Sequence, residues 1–197
     1  SLAWCGWGKV RAARAAARLL GSDPSIDLLV FTGVAGAADP ALSKWDVVLA
    51  DAVVQHDMDA RPLFPRFTLP ALNQDRLQPQ TLWFDWAKSA LMEAHNAGDL
   101  KGFARPSSGL IATGDRFIGD PAVLQALRDA LPDLQAVEME GAAVAQVAEQ
   151  EGVPWLVLRV SSDGADETAA QSFEDFVKRY EQQAWRLIEA LLQRCTD

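Results

Sequence analysis

Apolar residues along the chain alternate between short continuous runs and stretches with helical spacing. The continuous runs are rich in Val, Leu and Ile and are bounded by Gly, Pro or Asp, which is typical of strands buried on both faces of a sheet. Such runs predict strands at 26–32, 47–54, 108–113, 134–137 and 155–160. Apolar residues at the period of a helix predict helices at 8–20, 81–96, 121–131, 140–150 and 172–192.

This alternation is typical of an α/β fold whose sheet is covered by helices on both faces. Ligands in such folds gather at the C-terminal ends of the strands, so the residues that follow each strand are the first candidates for function. The segment 57–80 breaks the alternation with four prolines and no periodic pattern. Connections of this length are usually functional or lie at an interface.

The acidic composition narrows the choice of partners. There are 27 Asp and Glu against 18 Lys and Arg, which gives a formal charge of -9. Nucleic acid and anionic membranes bind clustered basic residues, so we expect neither, and a small neutral or cationic ligand fits better. Cys5 and Cys195 have no metal-ligand spacing, and we see no signal peptide, so we expect no metal and a cytoplasmic location.

Two candidate segments follow predicted strands and carry glycine or an aromatic ring. The segment 32–36 reads Thr-Gly-Val-Ala-Gly and predicts a turn that brings backbone N–H groups close to a ligand, or else an ordinary strand-to-loop turn. The segment 113–118 reads Thr-Gly-Asp-Arg-Phe-Ile, and Phe117 can stack on a planar base. A core Phe that anchors the loop is the alternative for Phe117.

Two further segments carry acidic residues. Glu138 and Glu140 flank Met139 where a strand passes into an Ala-rich helix, and buried carboxylates need partners such as sugar hydroxyls. Glu140 can also simply complement the helix N-terminus. Ser162 and Asp163 follow the most apolar strand. A partly desolvated Asp keeps its proton to higher pH and can act as a general acid, whereas an Asx-turn is the alternative.

In this order and spacing, the four segments resemble the 5'-methylthioadenosine/S-adenosylhomocysteine nucleosidase family of the nucleoside phosphorylase superfamily. Gly6-Trp7-Gly8-Lys9 matches a further motif of that family, and the resemblance covers essentially the whole chain. It implies a three-layer single domain over residues 1–197, with a central mixed, largely parallel β-sheet flanked by helices. It also implies that the family's N-terminal strand is missing from the printed sequence.

The resemblance implies hydrolysis of the N-glycosidic bond of adenine nucleosides such as 5'-methylthioadenosine and S-adenosylhomocysteine, through a ribosyl cation-like transition state and with no cofactor. Asp163 would protonate N7 of the adenine, and Ser162 would support it. Phe117 would stack on the base while the backbone of Ile118 reads its edge. The remaining pocket residues that it implies are Ala35, Gly36, Glu138, Met139 and Glu140.

The resemblance further implies a homodimer in which the loop after residues 56 and 57 reaches the neighbouring subunit's site. In this chain that loop carries Leu63 and Phe64, and apolar residues on a Pro-stiffened loop suit an interface. The sequence of this loop differs from the one usual in the family.

Two departures from the family pattern keep alternatives open. Val34 stands where Ser is common, and the family's water-activating Glu, which precedes the Gly-x-Gly-Lys motif, would lie upstream of Ser1. One alternative is phosphorolysis, but related phosphorylases grip phosphate with Arg and Ser at the positions of Phe31 and Val34, so hydrolysis is favoured. The other is a nucleoside-binding domain without catalysis.

Overall fold

The computed structural model describes residues 1–164 and 169–195, and at residues 163, 164, 169–172 and 174 it describes the backbone alone. The described strands are β1 Leu29–Ala37, β2 Val47–Gln55, β3 Pro106–Thr113, β4 Leu134–Glu138 and β5 Trp155–Gly164. The described helices are α1 Lys9–Ser22, α2 Thr81–Ala97, α3 Pro121–Ala130, α4 Gly141–Glu151, α5 Ala169–Gln183 and α6 Trp185–Leu192. Every predicted strand and helix has a counterpart among them, and the helix predicted at 172–192 is divided into α5 and α6.

The strands curl into a closed barrel in the order β1-β4-β3-β2-β5. The pairs β1–β5, β2–β3 and β3–β4 are parallel, whereas β1–β4 and β2–β5 are antiparallel. The expected α/β class and the mixed, largely parallel sheet flanked by helices are therefore confirmed. The extent of a single domain over residues 1–197 stays a prediction.

Two groups of helices pack on different sides of the barrel, and each group forms a separate apolar core with it. Helices α1 and α4 pack closely against each other and the barrel, since their facing positions are mostly alanine, as at Ala12 and Ala145. Helices α2, α5 and α6 form a second core with larger side chains such as Leu91, Phe176 and Leu187. None of the helices in the described part of the chain is long and apolar enough to span a bilayer.

The turn predicted at 32–36 is wrong, because this segment continues β1, and the strand predicted to end at residue 160 likewise continues to Gly164. β1 runs through to Ala37, and its parallel pairing with β5 continues to Ala37 opposite Gly164, with a register shift after Ala35. Glycine suggested a turn, but at Gly33 it makes room inside the barrel. A Cβ there would lie 2.3 Å from Nη1 of Arg159, so the strand needs glycine at this position.

The Pro-rich connection 57–80 folds back onto the barrel. Leu77 forms an antiparallel bridge with Val53 of β2, and Leu69 is buried in the same apolar core as these two residues. Leu63, by contrast, is 84% exposed, which leaves a large apolar side chain of this segment in solvent.

Candidate active site

A cavity of about 750 Å³ lies against β1 and is bounded by residues 1–7, the turn after β3, the end of β4 and helix α5. The residues singled out from the sequence that line it are Ala35, Gly36, Phe117, Ile118, Glu138, Met139, Glu140 and Ser162. Four segments that are far apart in sequence therefore meet at one site. The side chain of Asp163, the candidate general acid, lies outside the described residues.

Glu138 is buried, and its carboxylate bonds to the protein on both oxygens. Oε2 accepts from Nε of Arg159 at 3.0 Å and pairs with Nη2 of the same guanidinium. The backbone N–H of Gly141 donates to Oε1 at 3.0 Å and to Oε2 at 2.8 Å, and the Thr113 hydroxyl also donates to Oε1. An anion at the N-terminus of α4 is favourable for the helix dipole. These contacts occupy the carboxylate, and the sugar-binding role of Glu138 stays a prediction.

Glu140 presents a less occupied carboxylate to the same cavity. Its Oε1 accepts the backbone N–H of Gly8 at 2.8 Å, and its Oε2 lies 3.8 Å from Nη2 of Arg159. Burial, followed by repulsion from Glu138, raises the pKa of Glu140 above its ordinary value of 4.5. One oxygen is thus held by the protein while the other can accept hydrogen bonds from a ligand.

Arg159 is fully buried and is held between a carboxylate and an aromatic ring. Besides its pair with Glu138, its guanidinium carbon lies 4.3 Å from the ring centroid of Phe31, a cation–π distance. Gly33 leaves space for Nη1, the third nitrogen of the guanidinium. The sequence placed Arg159 near the site, but the pairing with Glu138 and Phe31 depends on contacts between different strands and was missed.

Aromatic rings line the mouth of the cavity. Phe117 is 48% exposed and meets Phe173 of α5 edge-on, with ring centroids 6.2 Å apart. Trp7 meets the same ring edge-on at 6.0 Å. Next to Phe117, Ile118 is buried. An aromatic wall of this kind offers a planar ligand both a face and edges, although only Phe117 was identified from the sequence.

Ser162 lies inside the barrel wall beside the cavity. Its hydroxyl donates to the backbone carbonyl oxygen of Ala35 at 3.2 Å, which joins β5 to β1 at the level of the predicted sugar and base pocket. Gly36 follows in β1 and also lines the cavity. The resemblance thus selected residues that are neighbours in space, although the glycine pattern had predicted a turn for the β1 residues.

Comparison with known proteins agrees with this geometry. The family model of the phosphorylase superfamily matches residues 1–193. The 5'-methylthioadenosine/S-adenosylhomocysteine nucleosidase of Marinomonas sp. (strain MWYL1) is 36% identical over 189 residues, which cover 95% of this chain and 78% of the relative. The corresponding protein of Geobacillus thermodenitrificans (strain NG80-2) is 37% identical over 188 residues, with 95% and 76% covered.

Solved structures have the same fold. The nucleosidase of Neisseria meningitidis in complex with methylthio-immucillin-A superposes with a TM-score of 0.85 at 31% identity, covering 97% of this chain and 79% of that one. The futalosine hydrolase of Helicobacter pylori strain 26695 superposes with a TM-score of 0.84 at 29% identity, covering 96% and 77%. The chain therefore belongs to the phosphorylase superfamily and, within it, to the 5'-methylthioadenosine/S-adenosylhomocysteine nucleosidase family.

Proposed function

We propose that this protein is an N-glycosidase that hydrolyses adenine nucleosides, such as 5'-methylthioadenosine and S-adenosylhomocysteine, and releases adenine. The observation that carries the proposal is the pairing, in one cavity, of the half-occupied carboxylate of Glu140 with the exposed ring of Phe117. A carboxylate binds the hydroxyls of a sugar, and an aromatic face binds a planar base. Among the related solved structures, the nucleosidase of Colwellia psychrerythraea 34H is in complex with adenine.

The reaction needs a proton on the base and electrostatic support for the sugar. Adenine is a poor leaving group as an anion, so Asp163 donates a proton to N7 as the glycosidic bond breaks, and Ser162 supports that carboxyl. Positive charge then develops on the ribose. Glu140 binds the sugar hydroxyls, with Met139 beside it, and water attacks the anomeric carbon from the opposite face. The proton that the water releases passes to solvent, and Asp163 regains its proton from solvent.

The contacts favour water over phosphate as the nucleophile. Phosphate needs cationic or N–H donors, and Phe31 and Val34 occupy the positions where related phosphorylases place Arg and Ser. Arg159 is the arginine on the neighbouring strand, but Glu138 already accepts from its Nε and Nη2. Arg159 therefore does not supply a free cationic group for phosphate.

The remaining lining residues complete the proposed substrate pocket. The backbone of Ala35 and Gly36 faces the base and sugar, and the backbone of Ile118 reads the base edge. Glu138 assists at the sugar through Arg159 and the start of α4, since its own oxygens are already bonded within the protein. Cytoplasmic location stays a prediction, suggested by the two free cysteines.

We also propose that two copies of the chain associate, with the segment around Leu63 and Phe64 near the partner's site. Leu63 is 84% exposed, and Phe64 beside it is partly buried. A large apolar side chain that a single copy of the chain leaves in solvent suits burial at an interface. Sedimentation should show two chains per particle, and an active protein that stays monomeric at micromolar concentration would contradict this arrangement.

Adenine release from a panel of nucleosides tests the proposed function. The panel comprises 5'-methylthioadenosine, S-adenosylhomocysteine, deoxyadenosine and a futalosine-type nucleoside, each with and without phosphate. We expect adenine and the free sugar from the first two, at a rate that does not depend on phosphate. Formation of a sugar 1-phosphate would instead identify a phosphorylase, and tight binding without cleavage would identify a nucleoside-binding domain.

A further inference from the structure

The first turn of α1 contacts both halves of the candidate site. The backbone N–H of Gly8 donates to Glu140 on the ribose side, at 2.8 Å. The next backbone N–H, that of Lys9, donates to Oδ1 of Asp115 at 2.8 Å, and Asp115 lies two residues before Phe117 on the base side. Consecutive donors of one helical turn therefore hold the ribose carboxylate and the turn that carries the aromatic ring.

The Lys9 side chain closes this arrangement into a ring of bonds. Its Nζ donates to Oδ1 of Asp57 at 2.6 Å and to Oε1 of Gln55 at 3.2 Å. The second oxygen of Asp57, Oδ2, accepts the backbone N–H of Asp115 at 2.9 Å. Asp57 thus binds the Lys9 ammonium and the turn after β3 at once.

Two side chains of the ring of bonds, those of Lys9 and Asp57, are partly shielded from water, whereas Asp115 is exposed. The side chains of Lys9 and Asp57 are 18% and 32% exposed. Burial alone would raise the pKa of Asp57, but the hydrogen bonds from Lys9 and from the backbone of Asp115 outweigh it and hold the pKa below its ordinary value of 3.8. Gly8 has φ of +89°, and a Cβ there would lie 3.0 Å from Oδ1 of Asp115, so glycine permits the close approach.

We propose that Lys9 is a positioning residue for the reaction, which fixes the turn carrying Phe117 relative to Glu140 through Asp57 and Asp115. The proposal rests on the proposed function, since it assigns the base to Phe117 and the ribose to Glu140. Lys9 itself does not line the cavity. It sets the distance between Phe117 and Glu140, which bind the two ends of the same nucleoside. Small misplacements of such groups lower the reaction rate markedly.

Three variants of the full protein test the proposal. Lys9→Met keeps the apolar stem and removes the ammonium, Lys9→Arg restores a cationic donor, and Arg76→Met is the matched control. Arg76 forms a two-bond pair with Asp133 and does not line the cavity. We expect Lys9→Met to lower kcat/KM for 5'-methylthioadenosine about tenfold, and Lys9→Arg to restore most of it. The Tm of Lys9→Met should fall no further than that of Arg76→Met, which should keep full activity.

A double-mutant cycle with Phe117→Leu separates positioning from general stability. If Lys9 acts through the Phe117 turn, the two losses overlap, and the combined variant is little worse than Phe117→Leu alone. Additive losses of activity, or an unchanged kcat/KM in Lys9→Met, would overturn the inference. A loss of activity that follows the fall in Tm in both Lys9→Met and Arg76→Met would overturn it as well.

The dissociation constant of adenine gives a readout that does not need turnover. We expect Lys9→Met to weaken adenine binding by a few-fold, whereas Arg76→Met leaves it unchanged. A wild-type protein that binds adenine but cleaves nothing would contradict the proposed function alone, because this readout still tests Lys9. Equal adenine affinity in wild type and Lys9→Met would contradict the positioning role alone when the wild type is active.

Discussion

The backbone N–H of Gly8 donates to Oε1 of Glu140 at 2.8 Å and joins the start of α1 to the end of β4 across 132 positions of sequence. The bond fixes one oxygen of the carboxylate. Among the described residues, the nearest cation to the other oxygen is Nη2 of Arg159 at 3.8 Å, which leaves this oxygen able to accept hydrogen bonds from a ligand. Glu140 therefore combines a fixed orientation with free acceptor capacity, as a sugar-binding carboxylate requires.

Replacing Glu140 by Gln should abolish most turnover and leave the fold intact. The Gln carbonyl oxygen can still accept from Gly8, but the charge is lost, and hydrogen bonds to a charged group contribute about 1.5–3 kcal/mol each. Adenine should still bind, because the Phe117 side of the cavity is unchanged. Steady-state kinetics and adenine titration check this, and retention of more than about a tenth of wild-type activity would remove Glu140 from the ribose role.

In the pH profile of kcat/KM, the fall in activity on the acidic side should have its midpoint above pH 4.5. Burial and the neighbouring Glu138 raise the pKa of Glu140, so its carboxylate is ionised above that raised pKa and becomes neutral as the pH falls through it. As the pH falls, binding of the sugar hydroxyls is therefore lost at a higher pH than it would be with a Glu of ordinary pKa. Circular dichroism at each pH excludes unfolding as the cause, and a midpoint at or below 4.5 would contradict the assignment.

The sequence predicted most of the fold because strands and helices here depend on local patterns. Apolar runs and helical spacing located each element to within a few residues. The glycines of 32–36 led to a wrong prediction of where β1 ends. Gly33 is required because Arg159 of the neighbouring strand lies against it, and not because the chain turns there. That requirement involves a residue far along the chain, and no local pattern carries it.

The same distinction applies to the site. Phe117 and Glu140 were identified because each belongs to a motif that resembles a known family, and both line the cavity. The partners that hold them were not identified. Lys9 is 106 positions from Asp115, and Trp7 meets Phe173 only after α5 has packed beside the cavity. Such contacts follow from the closure of the barrel and not from the spacing of residues.

Replacing Gly33 by Ala should damage both stability and activity. The added Cβ would lie 2.3 Å from Nη1 of Arg159, and this guanidinium cannot move aside freely, because Glu138 and Phe31 hold it in the buried interior. Displacing it weakens a buried ion pair, and breaking such a pair typically costs about 3–5 kcal/mol. We expect a clear fall in Tm and a loss of adenine release.

Gly21→Ala is the matched control for that variant. Gly21 lies in α1, nothing lies within 4 Å of an added Cβ, and alanine favours a helix over glycine by up to about 1 kcal/mol. Its Tm should be equal or slightly higher, with unchanged activity. Equal behaviour of Gly33→Ala and Gly21→Ala would mean that Arg159 can adapt and that its fixed position is unimportant.

Asp163→Asn tests the proposed general acid, whose backbone continues β5 beside Ser162. Asparagine keeps the shape and can donate a hydrogen bond, but it has no proton to give to N7. Positioned general acids typically contribute about 10²- to 10⁴-fold to the rate, so adenine nucleosides should be cleaved at least about a hundredfold more slowly. Substrate affinity should change little, because the Asn amide can still hydrogen-bond to the base.

A second substrate distinguishes proton donation from positioning at Asp163. A nitrophenyl riboside has a leaving group that departs without protonation, so its cleavage needs the sugar-binding groups but no acid. Asp163→Asn should therefore keep most of its activity on this substrate while losing it on 5'-methylthioadenosine, whereas Glu140→Gln should lose both. Equal losses on the two substrates in Asp163→Asn would mean that the residue positions or folds the site, and the proton transfer to N7 would have to be assigned elsewhere.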